Sequence, residues 1–106
     1  MRILFDQGAP VPLQRVLAAH DVDTAWQRGW SELANGDLLT AAESAGFDLL
    51  LTTDQNLRYQ QNLSRRRIAI LVLTVANWPM LQPHAESIAA VVEVMQPGEY
   101  REWAPT

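Results

Sequence analysis

Cysteine and lysine are both absent from this chain of 106 residues. Without cysteine there is no disulfide framework, no zinc site built on thiolates and no cysteine nucleophile. Without lysine, mechanisms that need a lysine side chain are excluded, and all eight basic residues are arginines. Long apolar runs are also missing, because none approaches the roughly 20 residues that span a bilayer. The sequence therefore predicts no contact with the membrane interior.

The charge balance is acidic, with twelve acids against eight bases and a net charge of −4. Broad electrostatic capture of nucleic acid depends on neutralising phosphates, so this balance argues against it but leaves room for a local basic patch. The opening residues MRILFD lack a secretory-signal pattern, since an acid follows three apolar residues directly. We therefore expect the protein in the cytoplasm.

Apolar segments of strand length alternate with helical patterns along the chain. Strands are predicted at 2–5, 21–26, 47–54 and 68–75, with an edge strand or a tail near the C-terminus. Helices are predicted after Pro12, after Asn35 as N-cap and after Pro83, with a turn or two of helix in the polar segment 55–67. Their apolar stripes are Leu13, Val16, Leu17 and His20; Leu38, Ala41, Ala42 and Ala45; and Ala85, Ile88, Val91, Val92 and Met95.

This alternation predicts one domain, residues 1–106, with an α/β fold. We expect a three-layer α/β/α sandwich around a mostly parallel sheet, because strands separated by helices pair in parallel. A content of 48% hydrophobic residues is enough to cover both faces of such a sheet.

Three aspartates occupy the positions where parallel sheets place their functional sites. Asp6 ends the first strand, Asp54 ends the third, and Asp37 lies in the first turn of the helix between them. Sites in open parallel sheets form beyond the carboxyl ends of the strands, where the following helices also begin. Crowded carboxylates repel one another unless a cation neutralises them, and Mg²⁺ or Mn²⁺ prefers such oxygen ligands. The three residues are therefore candidate catalytic and metal-binding acids.

Each of these acids also has a structural explanation. Asp6 precedes Gln7 and Gly8 and is compatible with a turn. Asp37 is favoured at the positive end of a helix, and Asp54 is a suitable cap for the segment after its strand. Any one of them alone is better explained in this way, and only the three together favour a functional site.

Two stretches of the sequence, ILFDQGAPVPLQRVL and GDLLTAAESAGFDLLLTTDQNL, resemble the small bacterial PIN-like proteins. The resemblance covers roughly residues 1–75, and the run from the helix-ending glycine to Asp54 is its most specific part. It implies a PIN-like, Rossmann-like fold and kinship with Mg²⁺- or Mn²⁺-dependent ribonucleases, including the toxins of toxin–antitoxin pairs. Asp6, Asp37 and Asp54 match the metal-site acids of that family. The resemblance further implies a homodimer, with RNA and an antitoxin or other protein as partners.

One position departs from the family pattern. Relatives often carry an aspartate two residues after the acid that ends the third strand, whereas this chain has Asn56. Asparagine supplies a carbonyl oxygen to a metal but no charge, so metal affinity and activity should fall. Thr52 and Thr53 precede Asp54, where their hydroxyls are able to orient a carboxylate or a water; the preference of threonine for strands explains them equally well.

The segment LRYQQNLSRRR contains four arginines and a tyrosine. Arginine binds phosphate bidentately and tyrosine stacks on bases, so Arg58, Arg65, Arg66 and Arg67 are candidate contacts to single-stranded RNA. A solvated loop explains the same residues. The four tryptophans, of which Trp26 and Trp30 are four positions apart, suit either a core or a partner surface.

Three functions follow from these features. The first is a metal-dependent nuclease that acts on RNA, with the toxin of a toxin–antitoxin pair as its particular form. The second is a PIN-like protein with weakened or lost catalysis that serves as a protein-binding module, which Asn56 and the acidic charge favour. The third, a receiver-like signalling domain with Asp54 as phosphoacceptor, is set aside because such domains need a lysine.

Overall fold

Five parallel strands form the sheet at the centre of the computed structural model, which describes residues 1–60, 63–64 and 66–105. The strands are β1 (Arg2–Phe5), β2 (Asp21–Thr24), β3 (Leu49–Thr52), β4 (Ala69–Leu73) and β5 (Tyr100–Trp103). Their order across the sheet is β2-β1-β3-β4-β5, and every neighbouring pair is parallel. The C-terminal segment thus forms the edge strand β5, one of the two outcomes expected from the sequence.

Helices connect these strands on both faces of the sheet. They are α1 (Asn35–Ser44), α2 (Leu57–Gln60), α3 (Trp78–Leu81) and α4 (Ala85–Val94), with 3₁₀ helices at Val11–Leu17 and Gln82–His84. The described helices include none that is long and apolar enough to cross a bilayer.

The two faces of the sheet build two separate hydrophobic cores, because successive side chains of a strand point to opposite faces. Leu49 and Leu51 pack on one side with the long 3₁₀ helix, α3 and α4. Leu50 packs on the other side with α1 and with Leu57 of α2. Strands buried on both faces read as continuous apolar runs, as β3 and β4 do. The expected three-layer α/β/α sandwich with a parallel sheet is therefore confirmed.

The helix expected after Pro12 is a 3₁₀ helix instead. The Pro10 carbonyl accepts a hydrogen bond from the Leu13 amide at 3.1 Å, an i to i+3 bond. Pro12 has no amide proton to donate at the start of this segment. Leu13 and Leu17 are buried as expected, whereas Val16 is 36% exposed and does not join the core.

Several boundaries also differ from the expectation. The strand β3 spans Leu49–Thr52 and not 47–54, and β4 spans Ala69–Leu73 and not 68–75. The helix α1 begins at Asn35 itself, after Ala34 as N-cap, so Asn35 does not cap it. The strand β2 ends at Thr24, two residues early, where the chain turns over the α1 face and buries Ala25. The last helix buries Ala85, Ile88, Val92 and Met95 fully, and Val91 only in part.

Candidate active site at the carboxyl edge of the sheet

The strand order defines where a site can form. From β1 the chain proceeds to β2 on one side of it, and β3 then pairs with β1 on the other side. In open α/β sheets this reversal leaves a crevice beyond the carboxyl ends of the two central strands, and ligands bind there. Asp6 follows β1, and Thr53 and Asp54 follow β3. The structure therefore places Asp6 and Asp54 at the edge expected from the sequence.

Register brings the side chains of Asp6 and Thr52 together. Phe5 pairs with Leu51, and the Asp6 amide donates to the Leu51 carbonyl at 2.9 Å. Residues one step further on these strands, Asp6 and Thr52, therefore share the opposite face, the α1 side. There the Thr52 hydroxyl donates to Asp6 Oδ2 at 2.8 Å. Thr52 is only 1% exposed, so its hydroxyl is a fixed part of the site.

The same hydroxyl also orients the chain around Asp54. Its oxygen accepts a hydrogen bond from the Asp54 amide at 3.1 Å. Asp54 Oδ1 in turn accepts from the Asn56 amide at 2.9 Å, a local turn that a side chain of this length forms readily. One buried threonine therefore links the two half-buried aspartates.

Thr53 has a different role, because its side chain meets the first loop. A Cβ atom placed on Gly8 would overlap the Thr53 hydroxyl oxygen. Gly8 thus allows the loop after β1 to lie against the end of β3. The Thr53 hydroxyl makes no hydrogen bond with residues in the described ranges.

Asn35 belongs to the site although the sequence indicated only a capping role. Its side-chain Nδ2 donates to Asp54 Oδ2 at 2.7 Å in a half-buried position. The helix α1 begins at the carboxyl edge of the sheet, so a polar residue in its first turn reaches the residues that follow β3. Like Asp37, Asn35 lies in the first turn of the helix that begins at this edge, and this position is the signal that the sequence contains.

Asp37 lies in the first turn of α1, as predicted, and is exposed. Its carboxylate forms no hydrogen bond or ion pair with any residue that the structure describes. Within the described ranges no three Asp, Glu or His side chains are grouped so as to hold a metal ion. The role of Asp37 as a third metal-site acid stays a prediction. The role of Asn56 as a ligand also stays a prediction, and its side chain is exposed.

The two linked aspartates have the chemistry of a Mg²⁺ or Mn²⁺ site. Each of their four carboxylate oxygens accepts one hydrogen bond, from Thr52, Asn35 or a backbone amide, and retains a free lone pair. Neither is paired with a cation in the described part of the chain. Mg²⁺ is commonly held by one or two carboxylates together with waters and substrate phosphates, so the donor set fits such an ion.

The arginines of the polar segment fall into separate environments. The side chain of Arg66 is bound to α1. Its Nη1 contacts Glu43 Oε1 at 2.8 Å and Thr40 Oγ1 at 3.1 Å. Arg67 is exposed, its side chain makes no hydrogen bond or ion pair within the described ranges, and its amide donates to Glu43 at 2.7 Å. Arg65 lies outside the described residues.

Arg58 alone follows β3 on the carboxyl edge, whereas Arg66 and Arg67 precede β4. Its Cζ lies 4.7 Å from the centroid of the Tyr59 ring, and its Nε lies 4.0 Å from Glu102 Oε2 on β5. Of the described members of this set, Arg58 is therefore the one on the same edge of the sheet as the two aspartates. Arg58, Arg66 and Arg67 do not form one basic patch.

The remaining acids have structural roles. Asp48 accepts the Arg2 amide at 2.7 Å and Asp21 lies 3.7 Å from the Arg2 guanidinium, both at the amino edge. Asp23 lies 3.9 Å from Arg28, so its carboxylate is directed to that cation. Burial raises the pKa of Glu43, but hydrogen bonds from Arg66 and from the Arg67 and Ile68 amides outweigh it and leave the pKa below its ordinary value.

Comparison of the chain with family models, with characterised proteins and with solved structures finds no match in any of the three. The chemistry of the site therefore has to be argued from its own residues.

Proposed function

We propose that this protein is a divalent-metal-dependent nuclease of the PIN-like kind and that its substrate is RNA. The observation that carries the proposal is the Asp6–Thr52–Asp54 arrangement at the switch point of the sheet. Two half-buried aspartates are linked through Thr52 at a site-forming edge, and neither carboxylate is paired with a cation among the described residues. A divalent cation bound by these carboxylates would neutralise their charge.

Each residue of the candidate site has its own role in this proposal. Asp6 and Asp54 would hold Mg²⁺ or Mn²⁺, and Thr52 links their two segments. Asn35 fixes the rotation of the Asp54 carboxylate through Oδ2. When bound, the ion supplies a more acidic water and stabilises charge on the phosphoryl oxygens. Asp37 and Asn56 remain candidate additional ligands on the same edge.

The resemblance to bacterial PIN-like proteins extends the proposal. In that setting the protein is a cytoplasmic toxin that pairs with a second copy of itself and is held inactive by an antitoxin. A neighbouring gene for a small antitoxin, and a dimer in sedimentation, are the observations that support this form.

A second function is a PIN-like protein that binds a partner without catalysis. Two observations favour it: Asn56 stands where relatives often carry an acid, and Asn35 occupies one oxygen of Asp54. Weaker charge at the site lowers affinity for a divalent cation.

A cleavage assay on single-stranded RNA with Mg²⁺ or Mn²⁺ separates these functions. We expect the parent protein to cleave and Asp54→Asn to lose the activity. Asp21→Asn is the matched control, because Asp21 is an exposed aspartate at the opposite edge of the sheet. Cleavage that survives Asp54→Asn would show that the activity has another source, and a parent that never cleaves would favour the partner-binding function.

Thermal unfolding gives an independent test of the ion. A ligand that binds only the folded state raises stability as its concentration passes its dissociation constant. Millimolar Mn²⁺ should therefore raise the melting temperature of the parent and of Asp21→Asn, but not of Asp6→Asn or Asp54→Asn. Equal stabilisation of all four proteins would place the ion elsewhere.

A further inference from the structure

Two aromatic rings project from the carboxyl edge into solvent. Trp26 is 77% exposed and Tyr59 is 72% exposed. The Trp26 indole makes no hydrogen bond and no ring contact with the residues described. Aromatic rings are usually buried because they contribute much apolar area, so two exposed rings on one edge need an explanation beyond the fold.

The loop that carries Trp26 is fastened beside the candidate site. Thr24, the last residue of β2, pairs with Phe5, the residue before Asp6, so the turn that carries Trp26 begins at the carboxyl edge beside β1. Gln7 Nε2 donates to the Ser31 carbonyl at 3.0 Å, which ties the far end of the same loop to β1. Trp26 therefore lies on the β2 side of the two aspartates.

Tyr59 lies on the other side of them. It belongs to α2, which follows Asp54 and is anchored by the buried Leu57. Arg58 Nη2 donates to the Tyr59 hydroxyl oxygen at 2.6 Å, and the guanidinium lies against the ring. The ring is thus held by a cation that also reaches toward Glu102 of β5.

We propose that Trp26 and Tyr59 bind unpaired bases of single-stranded RNA by stacking, one on each side of the candidate site; this rests on the function proposed above. Exposed aromatic rings beside arginine are the usual surface for bases without sequence preference. The sugar-phosphate backbone between two stacked bases then crosses the edge where Asp6 and Asp54 lie. In a duplex, neighbouring base pairs stack on the faces that these rings need, so we expect duplex RNA to bind much more weakly than single-stranded RNA.

The surroundings of the rings favour RNA over a protein partner. Protein contacts are marked by contiguous exposed apolar patches. Trp26 is followed by the exposed Gln27 and Arg28, and Tyr59 is preceded by the exposed Asn56 and Arg58. Two isolated rings in polar surroundings suit separate bases better than one continuous apolar interface.

Binding of a labelled single-stranded RNA of about ten nucleotides tests this inference, because single-strand sites commonly span that order of length. Fluorescence anisotropy is measured in EDTA, so that no hydrolysis occurs. We expect Trp26→Ala and Tyr59→Ala each to weaken binding about fivefold or more. Trp26→Phe and Tyr59→Phe keep a ring and should stay within about twofold of the parent.

Three controls make the result specific to stacking. Val94→Ala removes an exposed apolar side chain at the amino end of the sheet and should leave binding unchanged. The same RNA annealed to its complement, and an oligomer of abasic sugar-phosphate units, should both bind much more weakly. Equal binding of the abasic oligomer, or alanine variants that bind like the parent, would overturn the inference.

Failure of the stacking role and failure of the nuclease function give different results. Metal-dependent cleavage that Trp26→Ala and Tyr59→Ala leave intact, with unchanged binding, removes the stacking role alone. Base-dependent binding in EDTA without any cleavage in Mn²⁺ retains the stacking role and removes the nuclease. A wild-type dimer that Trp26→Ala converts to a monomer would assign the ring to a protein contact and also overturn the inference.

Discussion

Thr52 donates its hydroxyl proton to Asp6 across two neighbouring parallel strands, at a distance of 2.8 Å. The same oxygen accepts the amide of Asp54. The hydroxyl group is buried, so both bonds form away from bulk water. This single side chain links the two acidic segments that the pairing of β1 with β3 brings together, and the first prediction follows from it.

Replacing Thr52 with valine keeps the shape and removes the hydroxyl. We expect a loss of about 1–3 kcal/mol in the free energy of unfolding, because the Asp54 amide and Asp6 Oδ2 lose their shared partner. Thr52→Ser keeps the hydroxyl and should retain most of the stability and all of the metal response. Urea denaturation of the three proteins measures the difference, and equal stability of Thr52→Val and the parent would contradict it.

Gly8 and Thr53 should behave as a coupled pair. Gly8→Ala places a methyl group on the Thr53 hydroxyl oxygen, and we expect overpacking to cost about 1–3 kcal/mol. In Thr53→Ala that oxygen is absent, so adding Gly8→Ala should cost far less. A double-mutant cycle in urea measures the coupling, and strictly additive effects would show that the loop adapts without contact.

The ion pair between Glu43 and Arg66 should make stability depend on acid pH. The pKa of Glu43 lies below its ordinary value of 4.5 in the folded protein. Its carboxylate therefore adds stability above that ordinary value, and this stability is lost as pH falls through the lower pKa of the folded state. Glu43→Gln should be less stable at neutral pH and lose less stability on acidification.

Thermal unfolding between about pH 7 and pH 3 measures this dependence. Glu93→Gln serves as a control, because Glu93 is 60% exposed and its partner is His20 on the other face of the sheet. An unchanged acid slope in Glu43→Gln would assign the slope to other carboxylates.

Asn56 offers a gain-of-function test. Asn56→Asp adds a carboxylate next to Asp54 on the candidate site, in the pattern of the PIN-like family. We expect tighter binding of Mn²⁺, seen as a larger rise in melting temperature at the same concentration, and a faster cleavage of RNA. Without metal the added charge should lower stability, since like charges are brought together. An Asn56→Asp protein with unaltered metal response would exclude this position from the site.

The sequence was sufficient to predict the fold class and the edge of the sheet at which Asp6 and Asp54 lie. The positions of Asp6 and Thr52 could be predicted. The direction of a strand determines the edge of the sheet at which its last residues lie, and the two-residue period of its side chains determines the face. Asn35 was missed, because an asparagine before a helix fits a cap equally well and only the structure shows its amide on Asp54.

Contacts between side chains on elements far apart in the sequence could not be predicted, for a similar reason. Arg66 is indistinguishable from Arg58 in a run of basic residues, yet it is paired with Glu43 of α1. The exposure of Trp26 depends on the turn that ends β2 early. The pattern of apolar residues does not predict that turn. Interactions between residues far apart in the chain need the tertiary structure before they can be assigned.

The bond from Thr52 to Asp6 joins residues 46 positions apart. Closing a ring of that size is an entropic cost that local structure cannot offset in advance. During synthesis, therefore, a ribosome-bound chain has no assembled site until β3 has emerged and docked beside β1. Fragments that stop short of β3 carry Asp6 and Asp37 but lack Thr52 and Asp54, so the candidate site is assembled late, together with the fold.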